Sequence, residues 1–116
     1  MTEYVFDHIH LSSPDPLKTA EFYEKMFGAT RITAREDSAR LDLKGVTILI
    51  NKAREGAPVG LLHFGIRTGN LEQSVSSLKE QGVKFTREPR EIRPGFKISF
   101  LEAPEAVSIE LQEGQF

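Results

Sequence analysis

The chain contains no cysteine, which excludes disulfide bonds, thiolate metal sites and a cysteine nucleophile. It also lacks any apolar run near the roughly 20 residues that a membrane-spanning helix needs. Acidic and basic residues nearly balance, with a formal net charge of −2, so nucleic acid and acidic membrane surfaces are not expected partners. No glycine-rich phosphate loop is present, and no order of serine, histidine and aspartate indicates a hydrolytic triad.

The amino terminus, MTEYVFDHIH, has neither a basic start nor an apolar stretch. We therefore expect no secretory signal there and take the cytoplasm as the default location. With 116 residues, of which 39% are hydrophobic and 28% charged, the chain has the size and balance of one globular domain.

An internal repeat organises the sequence. His8 begins the string HIHLSSPD and His63 begins HFGIRTGN. At the same distance after each histidine stands a residue that favours a helix N-cap, Asp15 in the first copy and Asn70 in the second. The spacing of apolar residues then predicts one helix in each copy, PLKTAEFYEKMF (16–27) and LEQSVSSLKEQ (71–81), each followed by glycine.

Three segments of strand character follow each predicted helix. They are residues 30–34, 40–43 and 46–51 in the first copy, and 83–86, 97–101 and 107–112 in the second. The order β-α-β-β-β therefore occurs twice, which predicts an α+β fold of two tandem modules that form a cupped mixed sheet. We expect a single domain over residues 1–116, with module 1 at 1–54, module 2 at 55–116 and a connection in KAREGAPVG.

Side chains alternate between the two faces of a strand. The alternation places His8, His63 and Glu110 opposite the apolar residues that we expect to pack under the helices. A lone histidine on a strand is more often a surface or hydrogen-bonded residue than a ligand, but these two hold equivalent positions in the repeat. A glutamate in the middle of SIELQ is disfavoured unless a site uses it. The semi-polar face therefore predicts a ligand cavity.

The segments DHIHLSSPDPLKTAEFYEKMFG, LHFGIRTGN and RPGFKISFLEAPEAVSIELQ resemble the vicinal oxygen chelate superfamily. That family includes glyoxalases, methylmalonyl-CoA epimerases, extradiol dioxygenases and fosfomycin-resistance transferases, and its metal ligands come from the first and last strand of each module. The resemblance covers essentially the whole chain. It implies that His8, His63 and Glu110 bind a metal ion. At the fourth position, where glyoxalases and epimerases usually carry Glu or Gln, the alignment of VTILIN with VSIELQ places Leu49, which cannot ligate.

Two imidazoles and one carboxylate with open positions suit a divalent ion of Fe, Mn, Co, Ni or Zn and do not choose among them. A zinc ion with three protein ligands would form a catalytic rather than a structural site. Such a metal would polarise a chelated pair of substrate oxygens, acidify a neighbouring C–H bond or bind dioxygen.

His10 shares the strand face of His8 and is a candidate for substrate contact, proton transfer or support of the ligands. The alternatives are that it ligates the metal in place of His8, or that it merely lines the cavity. Arg67 shares the face of His63 and is a candidate clamp for an anionic group, unless it lies in solvent at the strand end.

The segment TREPREIRPGFK is read as a basic loop with a turn at Pro94-Gly95. Its cations, with Arg93 and Lys97 as the candidate contacts, suit an anionic substrate such as a carboxylate, a glutathione conjugate or a CoA ester. The alternative is a solvated loop that acidic neighbours partly balance.

The first functional hypothesis is a glyoxalase-like lyase or isomerase in which Glu110 also serves as the catalytic base. The second is an extradiol-type Fe(II) dioxygenase, which the set of two histidines and one carboxylate favours. The third is a protein that binds a small molecule such as an antibiotic without catalysis. We also expect a homodimer, in which the modules pair within one chain or swap between two chains.

Overall fold

The computed structural model describes residues 3–114. In chain order the elements are β1 (Tyr4–Ser13), α1 (Pro16–Phe27), β2 (Thr30–Ala34), β3 (Ser38–Leu43), β4 (Val46–Lys52), β5 (Gly60–Thr68), α2 (Leu71–Glu80), β6 (Lys84–Arg93), β7 (Phe96–Ala103) and β8 (Val107–Glu113). A 3₁₀ turn over Pro104–Ala106 joins β7 to β8. The predicted α+β fold with its repeated β-α-β-β-β order is confirmed. Within residues 3–114, neither α1 nor α2 is long and apolar enough to cross a membrane.

The chain divides into two compact units. The first unit is His8–Leu62, and the second unit contains, among the described residues, 3–7 and 63–114. The division falls between Leu62 and His63, later than the module boundary expected at residue 54, and the start of β1 groups with the second unit. The single domain expected from the sequence stays a prediction.

In the first unit the strands follow the order β2-β3-β4-β1, with β1 parallel to β4 and the other pairs antiparallel. Helix α1 begins where the Asp15 carboxylate accepts the N–H of Lys18, and it ends at Gly28, whose φ of 75° is left-handed. The helix buries Ala20 against Leu41, Ile48 and Ile50. One face of this sheet therefore packs on the helix, as the alternation predicted.

The second unit repeats this arrangement with the order β6-β7-β8-β5, in which β5 runs parallel to β8. The Asn70 side chain accepts the N–H of Gln73 and caps α2. Leu71 and Val75 on the helix pack against Leu111 on β8, and each such buried side chain contributes roughly 1.5–3 kcal/mol. Helix α2 ends at Glu80, one position before the predicted end.

The prediction of a basic loop over TREPREIRPGFK is wrong, because most of this segment is strand. Strand β6 extends to Arg93 and pairs antiparallel with β7. Pro89 is tolerated because β6 lies at the edge of the sheet, where one side of the strand needs no hydrogen-bond donors. Only Pro94 and Gly95 form the turn, with Gly95 at a φ of 83°.

Candidate functional site

The strand registers test the alignment of the two copies. In the first unit His10 pairs with Leu49 across β1 and β4. In the second unit Gly65 pairs with Glu110 across β5 and β8. His10 and Gly65 each lie two residues beyond the repeated histidine. Leu49 therefore holds the position equivalent to Glu110, and the first unit has an apolar side chain where the second has a carboxylate.

His63 and Glu110 meet on the face of the second unit that is turned away from α2. Nε2 of His63 lies 3.2 Å from Oε1 of Glu110, and their side chains are 12% and 10% exposed. The Phe100 ring packs edge-on against the His63 ring, with centroids 5.2 Å apart, and Phe100 is also the register partner of Glu110. The aromatic ring thus shields the pair from solvent and limits rotation of the imidazole.

The first unit places His8 and His10 on its face opposite α1. His8 is buried, with 2% of its surface exposed, and its ring centroid lies 6.3 Å from that of His10. Nε2 of His10 and Oδ1 of Asn51 lie 2.6 Å apart, so the imidazole N–H donates to the amide oxygen. In a neutral ring Nδ1 then carries the lone pair. Asn51 was not among the predicted site residues, although its strand position puts it on the same face as Leu49.

Arg67 is not an isolated cation in solvent. Its Nη1 lies 3.5 Å from Oδ1 of Asp7, and the two side chains are 31% and 18% exposed. Its register partner is Gln112, two residues after Glu110, so Arg67 does project from the face of Glu110. The role of Arg67 as an anion clamp stays a prediction.

Gln112 is a further polar residue of this face that was not among the predicted site residues. It is 1% exposed, and its Nε2 donates to the carbonyl oxygen of Gly114 at 3.1 Å. Its buried Oε1 has no hydrogen-bond partner among residues 3–114. An unsatisfied buried acceptor costs about 1–3 kcal/mol, so this oxygen is suited to accept a donor from a ligand. The usable signal was its alternation with Glu110 along β8.

The structure separates the two predicted cationic contacts. The Arg93 guanidinium lies over the Phe96 ring, 4.8 Å from its centroid, next to the hairpin turn. Lys97 instead donates to Glu72 on α2 at 3.2 Å, and this hydrogen bond raises the pKa of Lys97. Lys97 pairs with Glu113 and Phe100 pairs with Glu110, so Lys97 lies on the helix face, opposite Glu110. Its position favours anchoring α2 over contact with a substrate at Glu110.

Residues 5–111 match the profile of the glyoxalase/bleomycin resistance protein/dioxygenase superfamily. The chain belongs to this superfamily. No curated protein matches this chain, whereas many solved structures match it.

Three of the similar solved structures show the shared fold. A hypothetical protein of Bacillus halodurans C-125 is 20% identical with a TM-score of 0.80, covering 98% of this chain and 96% of its own. Methylmalonyl-CoA epimerase from Mycobacterium tuberculosis is 22% identical with a TM-score of 0.73, and the match covers 96% of this chain and 88% of the epimerase. Streptomyces coelicolor methylmalonyl-CoA epimerase in complex with 2-nitronate-propionyl-CoA is 23% identical with a TM-score of 0.67. This match covers 96% of this chain and 97% of that epimerase.

The donor atoms of this superfamily member fit a divalent metal. A nearly buried carboxylate beside an imidazole, as at Glu110 and His63, supplies the mixed oxygen and nitrogen donors that Fe, Mn, Co, Ni and Zn accept. Buried carboxylates are costly unless a partner or a metal compensates them. The pair is therefore suited to hold a cation as well as to bond internally.

Proposed function

We propose that this protein is a metal-dependent enzyme that moves a proton on the carbon next to a carbonyl group, as a glyoxalase-like lyase or an isomerase. The observation that carries the proposal is the contact between His63 and Glu110, 3.2 Å apart on a shielded sheet face. A structural role alone seldom requires a carboxylate in the middle of a buried strand.

The proposed ligands are His8, His63 and Glu110, with His10 as the alternative nitrogen donor. The register of Leu49 supports a set of two imidazoles and one carboxylate, which leaves positions for substrate oxygens. When bound, the metal ion would polarise a chelated substrate oxygen and so acidify the adjacent C–H bond.

Glu110 is the proposed base. Its carboxylate would accept the proton from the substrate carbon, while the electron pair of the broken C–H bond moves into the adjoining carbonyl group. Return of a proton to the opposite face of that carbon completes an isomerisation, whereas return to the same face restores the substrate. His63 would hold the carboxylate through the contact between Nε2 and Oε1, and Phe100 would keep water from the developing charge. Because similar structures are methylmalonyl-CoA epimerases, we propose acyl thioesters as substrates.

Exchange of the α-proton of methylmalonyl-CoA with deuterium oxide, followed by mass spectrometry, tests the proposed function. The protein is purified without a chelating column, and its metal content is measured first. We expect exchange that a chelator abolishes and that added metal restores. His8→Ala, His63→Ala and Glu110→Gln should each lose exchange and weaken metal binding by about tenfold or more.

Glu102→Gln is the matched control for Glu110→Gln. Glu102 is an acid of the neighbouring strand β7, and its side chain is 43% exposed, so its neutralisation should leave exchange unchanged. Equal exchange by the Glu110→Gln and Glu102→Gln variants, or full exchange in a metal-free preparation, would show that the proposal is wrong.

An extradiol-type Fe(II) dioxygenase is the second candidate, and Leu49 is the observation that favours it. The apolar residue at this position reduces the proposed ligands to the two-histidine, one-carboxylate set of non-haem iron oxygenases. Oxygen uptake by the iron-loaded protein with catechols would identify this activity. If neither proton exchange nor oxygen uptake occurs and no metal binds, the third hypothesis, a small-molecule binding protein, would remain.

We further propose a homodimer that binds a small molecule and neither nucleic acid nor membrane. Chains carrying His8→Ala and chains carrying Glu110→Ala are mixed under conditions of proven subunit exchange. Recovered activity would show that two chains share one site, whereas its absence would place each site within a single chain.

A further inference from the structure

Strand β6 carries three arginines that face the same way because the strand is irregular. Its register with β7 pairs Arg87 with Phe100, Arg90 with Ile98 and Arg93 with Phe96. Directly opposed residues share a sheet face, yet residues three apart on a regular strand would alternate. Shifts in register between Phe85 and Arg87, between Arg87 and Arg90, and between Glu91 and Arg93 re-aim the side chains, as β-bulges do.

The face that these arginines share is the face of the candidate site. Phe100, the partner of Arg87, is also the register partner of Glu110, and its ring packs against His63. We name Arg87, Arg90 and Arg93 the arginine row. The row thus begins across β7 from the proposed base, with Phe100 between Arg87 and Glu110, and runs along β6 to the hairpin turn.

The acidic residues of β6 face the other way. Glu88 Oε1 accepts from Lys79 on α2 at 2.5 Å. Glu91 pairs in register with Lys97, which lies on the helix face and is bonded to Glu72. Charge is therefore segregated by face: Glu88 binds Lys79 on α2, Glu91 lies opposite Lys97 on the helix face, and the arginines lie on the side of the site.

Neither Arg87 nor Arg90 forms an ion pair within residues 3–114. The Arg87 guanidinium lies over the Phe100 ring, 5.6 Å from its centroid. The ring holds the cation in place without neutralising it. Arginine keeps its charge at any physiological pH, so the row is a permanent positive strip.

Two clefts connect the arginine row to His63. One of about 330 Å³ is lined by Arg87, Arg90, Ile98 and Phe100, together with Ser99 and Glu88, the acid that Lys79 holds. The other, of about 300 Å³, is lined by His63, Thr86, Arg87, Phe100 and Ser108. Because Arg87 and Phe100 line both, an elongated ligand can reach from the cations to the candidate base.

We propose that the arginine row binds the phosphate groups of the substrate's carrier, so that the substrate is a phosphate-bearing acyl thioester. The row spans five residues of β7, from Phe96 to Phe100, which is four steps or about 13 Å at the usual strand rise. A single carboxylate would engage one guanidinium, whereas several phosphates along one ligand can each engage a different arginine of the row. This inference rests on the proposed function, because it assigns the substrate class of that same site.

Calorimetric titration of the metal-free protein with coenzyme A, dephospho-coenzyme A and pantetheine tests the row without any turnover. We expect affinity to fall as phosphates are removed and to fall with added salt. Arg87→Gln and Arg90→Gln should each weaken binding of coenzyme A by about tenfold or more and leave binding of pantetheine unchanged. Lys25→Gln is the matched control, because Lys25 is a 72% exposed cation of α1 and its loss should not affect any of the three ligands.

Equal binding of coenzyme A by the parent, the Arg87→Gln variant and the Arg90→Gln variant would overturn the inference, provided that melting curves show all three folded. A parallel titration with glutathione tests whether the row binds carboxylates instead of phosphates. If glutathione binds in a way that depends on the row and coenzyme A does not bind, the row recognises carboxylates and not phosphates. That result would contradict the proposal.

The failure of this inference can be distinguished from failure of the proposed function. Proton exchange is also measured with a short acyl thioester that carries no phosphate. Exchange that is equally fast with the short thioester and the coenzyme A thioester would keep the proposed function and remove the role of the row. Row-dependent binding of coenzyme A without any proton exchange would keep the row and remove the proposed function.

Discussion

Leu49 pairs with His10 across the parallel strands β1 and β4, at the register position that Glu110 holds beside Gly65 in the second unit. A carboxylate placed at position 49 should therefore act as an additional metal ligand. We predict that Leu49→Glu tightens divalent metal binding by about tenfold, an effect of the size that supporting residues of metal sites have. Metal titration with a competing chelator measures it.

Leu49→Met separates ligation from packing in this experiment. Methionine keeps the volume and apolar character of leucine, and such exchanges usually cost less than about 1.5 kcal/mol. If Leu49→Met and Leu49→Glu bind metal equally well, position 49 does not face the metal.

Asn51 orients His10 through the bond between Oδ1 and Nε2 at 2.6 Å. Residues that fix a functional imidazole typically matter by about 10–100-fold in metal affinity or activity. We predict a loss of that size in proton exchange for Asn51→Ala. Because Asn51 is exposed, the melting temperature should change little.

Asn51→Asp keeps an oxygen acceptor for His10 and should restore most of the activity that Asn51→Ala loses. A merely structural Asn51 would show the opposite behaviour, with altered melting temperatures and unchanged exchange in both variants. That result would remove His10 from the site.

Local patterns were sufficient to predict both helices and the equivalence of Leu49 with Glu110. Asp15 and Asn70 cap their helices through side-chain bonds to the third residue beyond, which is a purely local interaction. The repeat then fixed the positions of the strand residues, since alternation along a strand needs no knowledge of its partner. His63 and Glu110 could be assigned to one face for this reason.

Strand β6 was predicted only at its start, within residues 83–86, because the stability of the remainder comes from a distant partner. Pro89 and several charged residues predict a loop when they are read alone, but pairing with β7 provides the hydrogen bonds. The irregular register also decides which way each arginine points, and no local pattern encodes it. Lys97 donates to Glu72 on α2, a contact between distant residues that the sequence pattern did not predict, and its role as a substrate contact stays a prediction.

Glu24 and Arg31 form a two-point ion pair that should make stability depend on pH. Arg31 donates from Nε to Oε2 at 2.6 Å and from Nη2 to Oε1 at 2.8 Å. These hydrogen bonds lower the pKa of Glu24 and raise the pKa of Arg31. Because the folded state holds the carboxyl group ionised, the pair stabilises the fold at neutral pH and loses this contribution as pH falls through the lowered pKa.

Glu24→Gln should therefore be less stable than the parent at neutral pH, and the difference should shrink in acid. Urea unfolding at a series of pH values gives both curves. Glu21→Gln is the control, since Glu21 has only a 3.6 Å contact with the exposed Lys25. A difference between parent and Glu24→Gln that stays constant down to strongly acidic pH would contradict this prediction.

The turn between β7 and β8 holds Glu105 and Ala106 in the left-handed region, at φ values of 65° and 59°. Residues with a Cβ atom are strained there, whereas glycine is not. We predict that Ala106→Gly stabilises the protein by roughly 1 kcal/mol, which would raise the melting temperature by about 4 °C for a chain of this size. Ala103→Gly, at a neighbouring position with an ordinary φ of −90°, should instead destabilise by roughly 0.4–1 kcal/mol, because glycine only adds freedom to the unfolded chain. Equal melting temperatures of the Ala106→Gly and Ala103→Gly proteins would mean that the turn does not hold Ala106 in the left-handed conformation in solution.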